Sequence, residues 1–341
     1  MENRVARLLA LVFALLPACG SLPLAAQSAP QTQGTAATDA AQWRGDLAAW
    51  RAHREHELAA PDGPLTLVGL EWLKPGINSV GAAPDNQIRL RAQAPDHLGL
   101  LTVGGKPPGR SAHNSRDDHG SKSAEGSNIV QLLAPAAGFP PGLTIDGNPA
   151  REGPLAADSA QPPIIAWHSL TLAVLRRGDR YALRIKDADA PTRTGFHGLN
   201  WYQPDPRYRV TARWIPFKPP QVERIPTVIG ASLEMTAPGV AEFLLNGKVL
   251  LLEPVLEGGD TGTLFFILSD ETSKTTTYET ARYLHTGLPD HGLAQPGVLT
   301  LDFNRLENPP CAYTPYATCP LPPAKNRLPV ALEAGERRYA H

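Results

Sequence analysis

The chain has 341 residues, a formal net charge of -1 and 42% hydrophobic content. That length allows one large or two medium domains, and the balanced charge excludes the basic excess typical of nucleic-acid binders. With 35 prolines and 30 glycines between short β-branched runs, the composition is that of many strands and turns and few long helices.

Arg4 and Arg7 precede the apolar run LLALVFALL, too short to span a bilayer, which is the layout of a secretory leader. The run ends at LPACG, which resembles the lipobox of bacterial lipoproteins. By that resemblance residues 1–19 are leader and Cys19 is lipidated, so the protein is expected to be exported and anchored at the cell envelope, facing the periplasm. Cleavage after PLAAQ is the alternative. Residues 20–38 are uncharged and low in complexity and read as a flexible tether. Asp39 can cap a helix over residues 39–60, where Trp43, Leu47, Trp50 and Leu58 recur at helical spacing.

Residues 61–155 carry LTLVGLEWL, NQIRL, LGLLTVGG, NIVQLLA and LTIDG, short strands that fit a small β-sandwich. Between two of them lies a polar run with His113, Asp117, Asp118 and His119. Nothing in their spacing orients them for a metal, so a solvated loop is expected. Over residues 156–341 the strands lengthen and alternate, with hairpins expected at RRGD and at the Asn-Gly of NGK. The fold class is therefore mainly β: one N-terminal helix, a small sandwich, and a larger antiparallel barrel or sandwich.

Strand alternation sorts the charges. Arg180, Arg184 and Lys186 share one face, opposite Tyr181, Leu183 and Ile185; Arg209, Thr211 and Arg213 share another, as do Thr300, Asp302 and Asn304. Such faces meet solvent or line a polar cavity where guanidinium groups receive an anion. No Gly-x-Ser-x-Gly or His-Glu-x-x-His occurs, and SKTTT lacks the glycines of a phosphate loop. Cys311 beside His285 or His291 is a weak nucleophile reading, and His168 and His197 read as structural. Cys311 and Cys319 do not have the spacing of a zinc knuckle; in an exported protein a disulfide between them is the expectation. No metal or cofactor is implied.

GLEWLKPGINSVG, RGDRYALRIKDADA, TGFHGLNWYQPDPRYRVTARW and the long run from DFNRLENPPCAYTPYATCPLPPAKNR to AGERRY together resemble the DUF1684 family of uncharacterised bacterial and archaeal proteins. The resemblance covers most of the chain from about Trp50 to Tyr339 and implies no activity. DETSKTTTYETARYL departs from the family pattern by lacking its glycine. INSVGAAPDNQIRL with LTVGG and LTIDGNPA is similar in rhythm to an FHA-type sandwich. Ala82 follows Gly81 and RSAH is out of place, so no phosphopeptide site is implied.

The stiff, polar stretch Glu307–Arg327 is expected to wall a functional site. Asp302 and Asn304 lead into it, and it carries Asn308, Tyr313 and Asn326 on a proline-held backbone. Arg180, Arg184, Arg282 and Asp270 complete the expected ligand set. The preferred reading is a binding protein for a small, anionic ligand. Its rivals are a hydrolase using Asp270 and Asp302 as acid and base, and a structural envelope protein.

Overall fold

The computed structural model describes residues 33–104, 130–157, 159, 161–178, 180–258 and 262–340. The leader with Cys19, the tether up to residue 32, and the polar run with His113, Asp117, Asp118 and His119 lie outside the described residues. By its internal packing the chain divides into Met1–Trp43 and Arg44–His341. Helix α1, Gln33–Leu58, begins ahead of the expected cap at Asp39, because the alanine-rich GTAATDAA is itself a good helix former. In the second unit, Leu47 and Leu58 of this helix are buried, and Trp50 meets Trp201 edge-on at 5.7 Å between ring centroids.

Eleven strands follow: β1 (Leu67–Trp72), β2 (Gly76–Gly81), β3 (Ile88–Arg89), β4 (Gly99–Val103), β5 (Val130–Leu133), β6 (Thr144–Ile145), β7 (Asn148–Pro149), β8 (Gly153–Leu155), β9 (Ile164–Trp167), β10 (Leu170–Arg177) and β11 (Arg180–Asp187). They make two sheets, ordered β1-β11-β10-β9-β6-β7 and β3-β2-β4-β5-β8. Leu101 and Leu132 of one sheet share a buried core with Leu172 and Leu183 of the other, which is sandwich packing. Because β1 pairs with β11, Leu70 opposite Arg184, the boundary expected at residues 155 and 156 falls inside this module. Pairing across so long a stretch of chain leaves no local trace in the sequence.

The remaining strands are β12 (Arg209–Pro226), β13 (Ser232–Leu245), β14 (Lys248–Leu252), β15 (Leu264–Leu268), β16 (Arg282–Thr286) and β17 (Gly297–Asp302). Four form an antiparallel sheet, β14-β13-β12-β17, and β15 pairs with β16 alone. Among the described residues no sheet closes into a barrel; Trp214, Phe243 and Leu301 of the sheet instead share a core with Phe266 and Leu284 of the β15–β16 pair. The Asn-Gly hairpin is present, with Asn246 at φ 51 and Gly247 at φ 76, the left-handed pair that a tight β-turn requires.

Strand β15 reads LFFIL and is buried throughout. Its side chains alternate: Phe266 and Leu268 enter the core just described, whereas Phe265 and Ile267 join a second cluster with Tyr283, Ala317 and Cys319. A continuous apolar run is what a strand covered on both faces needs. Among the described residues no helix is long and apolar enough to cross a membrane.

Candidate functional site

The same alternation governs β16. Tyr283 and His285 share the face of Phe265, while Arg282 and Leu284 turn the other way. Arg282 is thereby buried against the C-terminal tail. Its side chain and that of Asp270 are 1% and 0% exposed, 2.9 Å apart. The guanidinium also donates to the carbonyls of Leu332 (2.9 Å) and Ala334. Asp270 in turn accepts from Thr272 N, Thr272 Oγ1 and Leu332 N and caps the turn Glu271–Lys274. That cap supplies the turn which the missing family glycine left open.

Other expected ligand residues grip backbone. Asn304 takes Asp205 by both its N–H and its carbonyl, each at 2.9 Å. Asn326 does the same to Glu253 and also donates to Ile267 O. Asn308 donates to Arg337 O at 2.8 Å. Tyr313 donates to Glu336 Oε2 at 2.6 Å, and burial together with that carboxylate pushes its phenol well above the ordinary range. Asp302 accepts from Asn304 N and Nδ2. Asp270 and Asp302 each cap a turn and brace the backbone around it. Arg180 lies over the Trp72 ring at 3.9 Å, on the exposed side of its strand.

Of the expected set, Asp270 borders a space beside Lys274 and Arg338, and Arg184 lines a cavity on the other side of the strand pair. This cavity, about 440 Å³, lies between the outer face of β1–β11, the β15–β16 pair and the stiff segment. Arg184 and Lys186 enter from β11; Phe265, Tyr283 and His285 come from the strand pair; Pro310, Tyr316 and Cys319 come from the stiff segment. This volume and this mixture of aromatic walls with a few charges are those of small-molecule sites. The stiff segment is therefore a wall, contributed by its rings and prolines, while its polar residues hold the wall in place.

The charges around the cavity are unequal in their partners. Arg54 of α1 meets Glu336 at 3.0 Å and Glu307 at 3.2 Å. Burial works against its charge, but the two carboxylates outweigh that and hold its pKa above the ordinary value. Burial also lifts the Glu336 carboxyl, against the pull of Arg54. His285 stacks on Phe265 at 4.6 Å between centroids and lies 3.4 Å from both Glu257 and Glu307. Burial opposes protonation there, yet the two glutamates raise its pKa to about 9. Lys186 donates to Asp62 O at 2.5 Å. The Arg184 side chain makes no hydrogen bond or ion pair among the described residues. Burial, and then Arg177, lower its pKa.

Cys311 and Cys319 are free, which corrects the expected disulfide. The Cys311 amide donates to Cys319 Sγ at 3.2 Å, and the thiols are hydrogen-bonded, which with burial raises Cys319 well above the thiol range. The turn Pro310–Ala312 and the Tyr283 Oη to Pro320 O bond of 2.8 Å already secure the loop. Cys319 lines the cavity, and Cys311, whose thiol is lowered by its hydrogen bond to Cys319, does not. Arg54, Glu257, Glu307, Tyr283 and Tyr316 escaped the sequence reading; period-two alternation from Phe265 and His285 would have found Tyr283, but nothing local marks the rest.

Residues 194–337 match the family model described as a protein of unknown function, DUF1684. Among solved structures that match is a solution NMR structure of an uncharacterized protein from Haloarcula marismortui. It is 33% identical, with 42% of this chain and 78% of that chain covered and a TM-score of 0.37. No curated protein matches.

Proposed function

The chain belongs to the DUF1684 family, and from that premise we propose that it binds a small organic anion in the cavity between β11 and the β15–β16 pair. The observation that carries this reading is Arg184, a guanidinium at the cavity wall with no anionic partner among the described residues. A half-buried cation without a counter-ion is costly, and a bound carboxylate or phosphate would relieve that cost through charge-assisted hydrogen bonds. Lys186 and protonated His285 add positive charge at the same wall, and Phe265, Tyr283 and Tyr316 give a flat apolar group its contacts. Binding is favoured over hydrolysis because Asp270 and Asp302, the carboxylates a hydrolase reading would use, are engaged away from this cavity.

Calorimetry and thermal unfolding with benzoate, phenyl phosphate and uncharged benzamide test this. The anions are expected to bind and raise the unfolding temperature, and benzamide to do neither. Arg184→Met keeps an apolar stem and should weaken anion binding by about tenfold or more. Its stability without ligand should equal or exceed wild type, since it removes a desolvated charge repelled by Arg177. Equal binding of benzoate by wild type and Arg184→Met would overturn the proposal.

A further inference from the structure

Strand β1 ends its sheet, with β11 as its single neighbour. The other ends of the two sandwich sheets are blunted: β3 and β7 have two residues each, and β7 and β8 contain Pro149 and Pro154. Proline and brevity are the usual protections of an edge. Six-residue β1, LVGLEW, has neither. Leu73 N donates to Tyr181 O at 2.9 Å, and Glu71 and Gly69 follow in the same phase opposite Leu183 and Ile185. By the alternation of an antiparallel ladder, the backbone N–H and C=O groups of Leu70 and Trp72 therefore point away from β11. Among the described residues nothing pairs with them. At the other end of the strand, Thr314 Oγ1 donates to Leu67 O at 2.9 Å and closes the edge.

This open edge runs between two cavities. On the outer face of the sheet lies the anion cavity, reached by Leu70 and Arg184. On the inner face, at the mouth of the sandwich, a second space of about 860 Å³ is reached by Gly69 and Glu71 and carries Arg89 and Arg91; Tyr316 borders both. Arg91 makes no ion pair among the described residues. A strand laid beside β1 would send successive side chains to opposite faces, hence one to Arg184 and the next to Arg89 and Arg91.

We infer that β1 receives an extended acidic peptide by strand addition, with neighbouring acidic side chains entering the two cavities. Main-chain bonds to Leu70 and Trp72 supply affinity, and the arginines on either face supply the preference for carboxylates. The inference rests on the anion reading of the first cavity, which this peptide would fill with a side-chain carboxylate; the pairing along β1 is the added claim.

The test uses the whole protein and a capped heptapeptide of valine and threonine with two adjacent glutamates at its centre, followed by calorimetry. Two N-methylated versions separate the phases. Methyl groups on alternate amides that face β1 should weaken binding by about tenfold or more, whereas methyl groups on the other alternate amides should leave it within about twofold. Replacing both glutamates by glutamine should weaken binding by about tenfold. No binding of the parent peptide, or equal effects of the two methylated versions, would overturn the inference. If benzoate binds in that case, the anion cavity stands without the strand. Phase-dependent peptide binding that Arg184→Met leaves unchanged would keep the edge pairing and remove the anion cavity.

Discussion

Asp270 and Arg282 have side chains 0% and 1% exposed, and Asp270 accepts hydrogen bonds on both oxygens. Neither group can exchange its partners for a ligand without leaving a buried charge unpaired. Asp270→Asn should therefore lose about 3–5 kcal/mol in chemical denaturation, because Arg282 keeps its charge and loses its counter-ion. Asp302→Asn should cost only about 1 kcal/mol, the usual value of a turn cap, since Asn304 can still bond the remaining oxygen. Both variants should bind benzoate as wild type does while folded; selective loss of binding by Asp302→Asn would restore it to the site. Arg184 was legible in the sequence because alternation in RYALRIKD separates it from Leu183 and Ile185. The same alternation sets Arg282 on the face opposite Tyr283 and His285, away from the cavity. Asn304, Asn308 and Asn326 look like ligand residues because sequence does not show which backbone groups a strandless segment leaves to be satisfied.

At the scale of elements, the segment after β17 replaces a sheet with proline turns, and its fixed points are close backbone approaches. Gly335 sits at φ 76, and a Cβ there would fall 2.4 Å from the Leu306 carbonyl oxygen. The next residue, Glu336, holds Arg54, Tyr313 and the Asn308 amide at 3.0, 2.6 and 2.7 Å. Gly335→Ala is expected to destabilise by about 2–4 kcal/mol, combining left-handed strain with overpacking. Denaturation measures this, and a loss below about 1 kcal/mol would mean that the tail is not fixed at this approach. The strands, both hairpins and the stiffness of Glu307–Arg327 were readable because alternation, Asn-Gly and proline act locally. The β1–β11 pairing was not, because it joins segments separated by the whole sandwich. The cysteine pair misled for a related reason: spacing in the chain does not fix whether two sulfurs bond.

At the scale of the whole molecule, His285 joins elements that are distant in sequence. Glu257 faces it from the loop after β14, Glu307 from the stiff segment, and Phe265 stacks on it from β15. Arg54 of α1 shares Glu307, and Arg184 and Lys186 face the same cavity from β11. An ordinary histidine titrates near 6.5; burial works against the charge of His285, but the hydrogen bonds and charges of Glu257 and Glu307 together outweigh it and bring the pKa to about 9. Below pH about 6.5 it is protonated in both folded and unfolded chains, so its pairing contributes fully. Between about 6.5 and 9 the folded protein retains a proton that the unfolded chain has released, and stability falls as pH rises. Above about 9 the contribution is gone. With 41% of its side chain exposed, solvent screening limits the effect to about 1 kcal/mol or less. Denaturation of wild type and His285→Asn from pH 6 to 10 isolates it from other groups, including the Cys311 thiol, which its hydrogen bond to Cys319 lowers. The wild-type advantage should shrink across that window and vanish above it. Benzoate affinity should stay level up to pH about 8 and fall as pH passes through about 9, in wild type alone, since a neutral imidazole in the folded protein withdraws one positive charge from the cavity wall. Parallel stability curves for the two proteins would show that His285 does not hold its proton against the unfolded chain, and the link between the glutamates and the cavity would be lost with it.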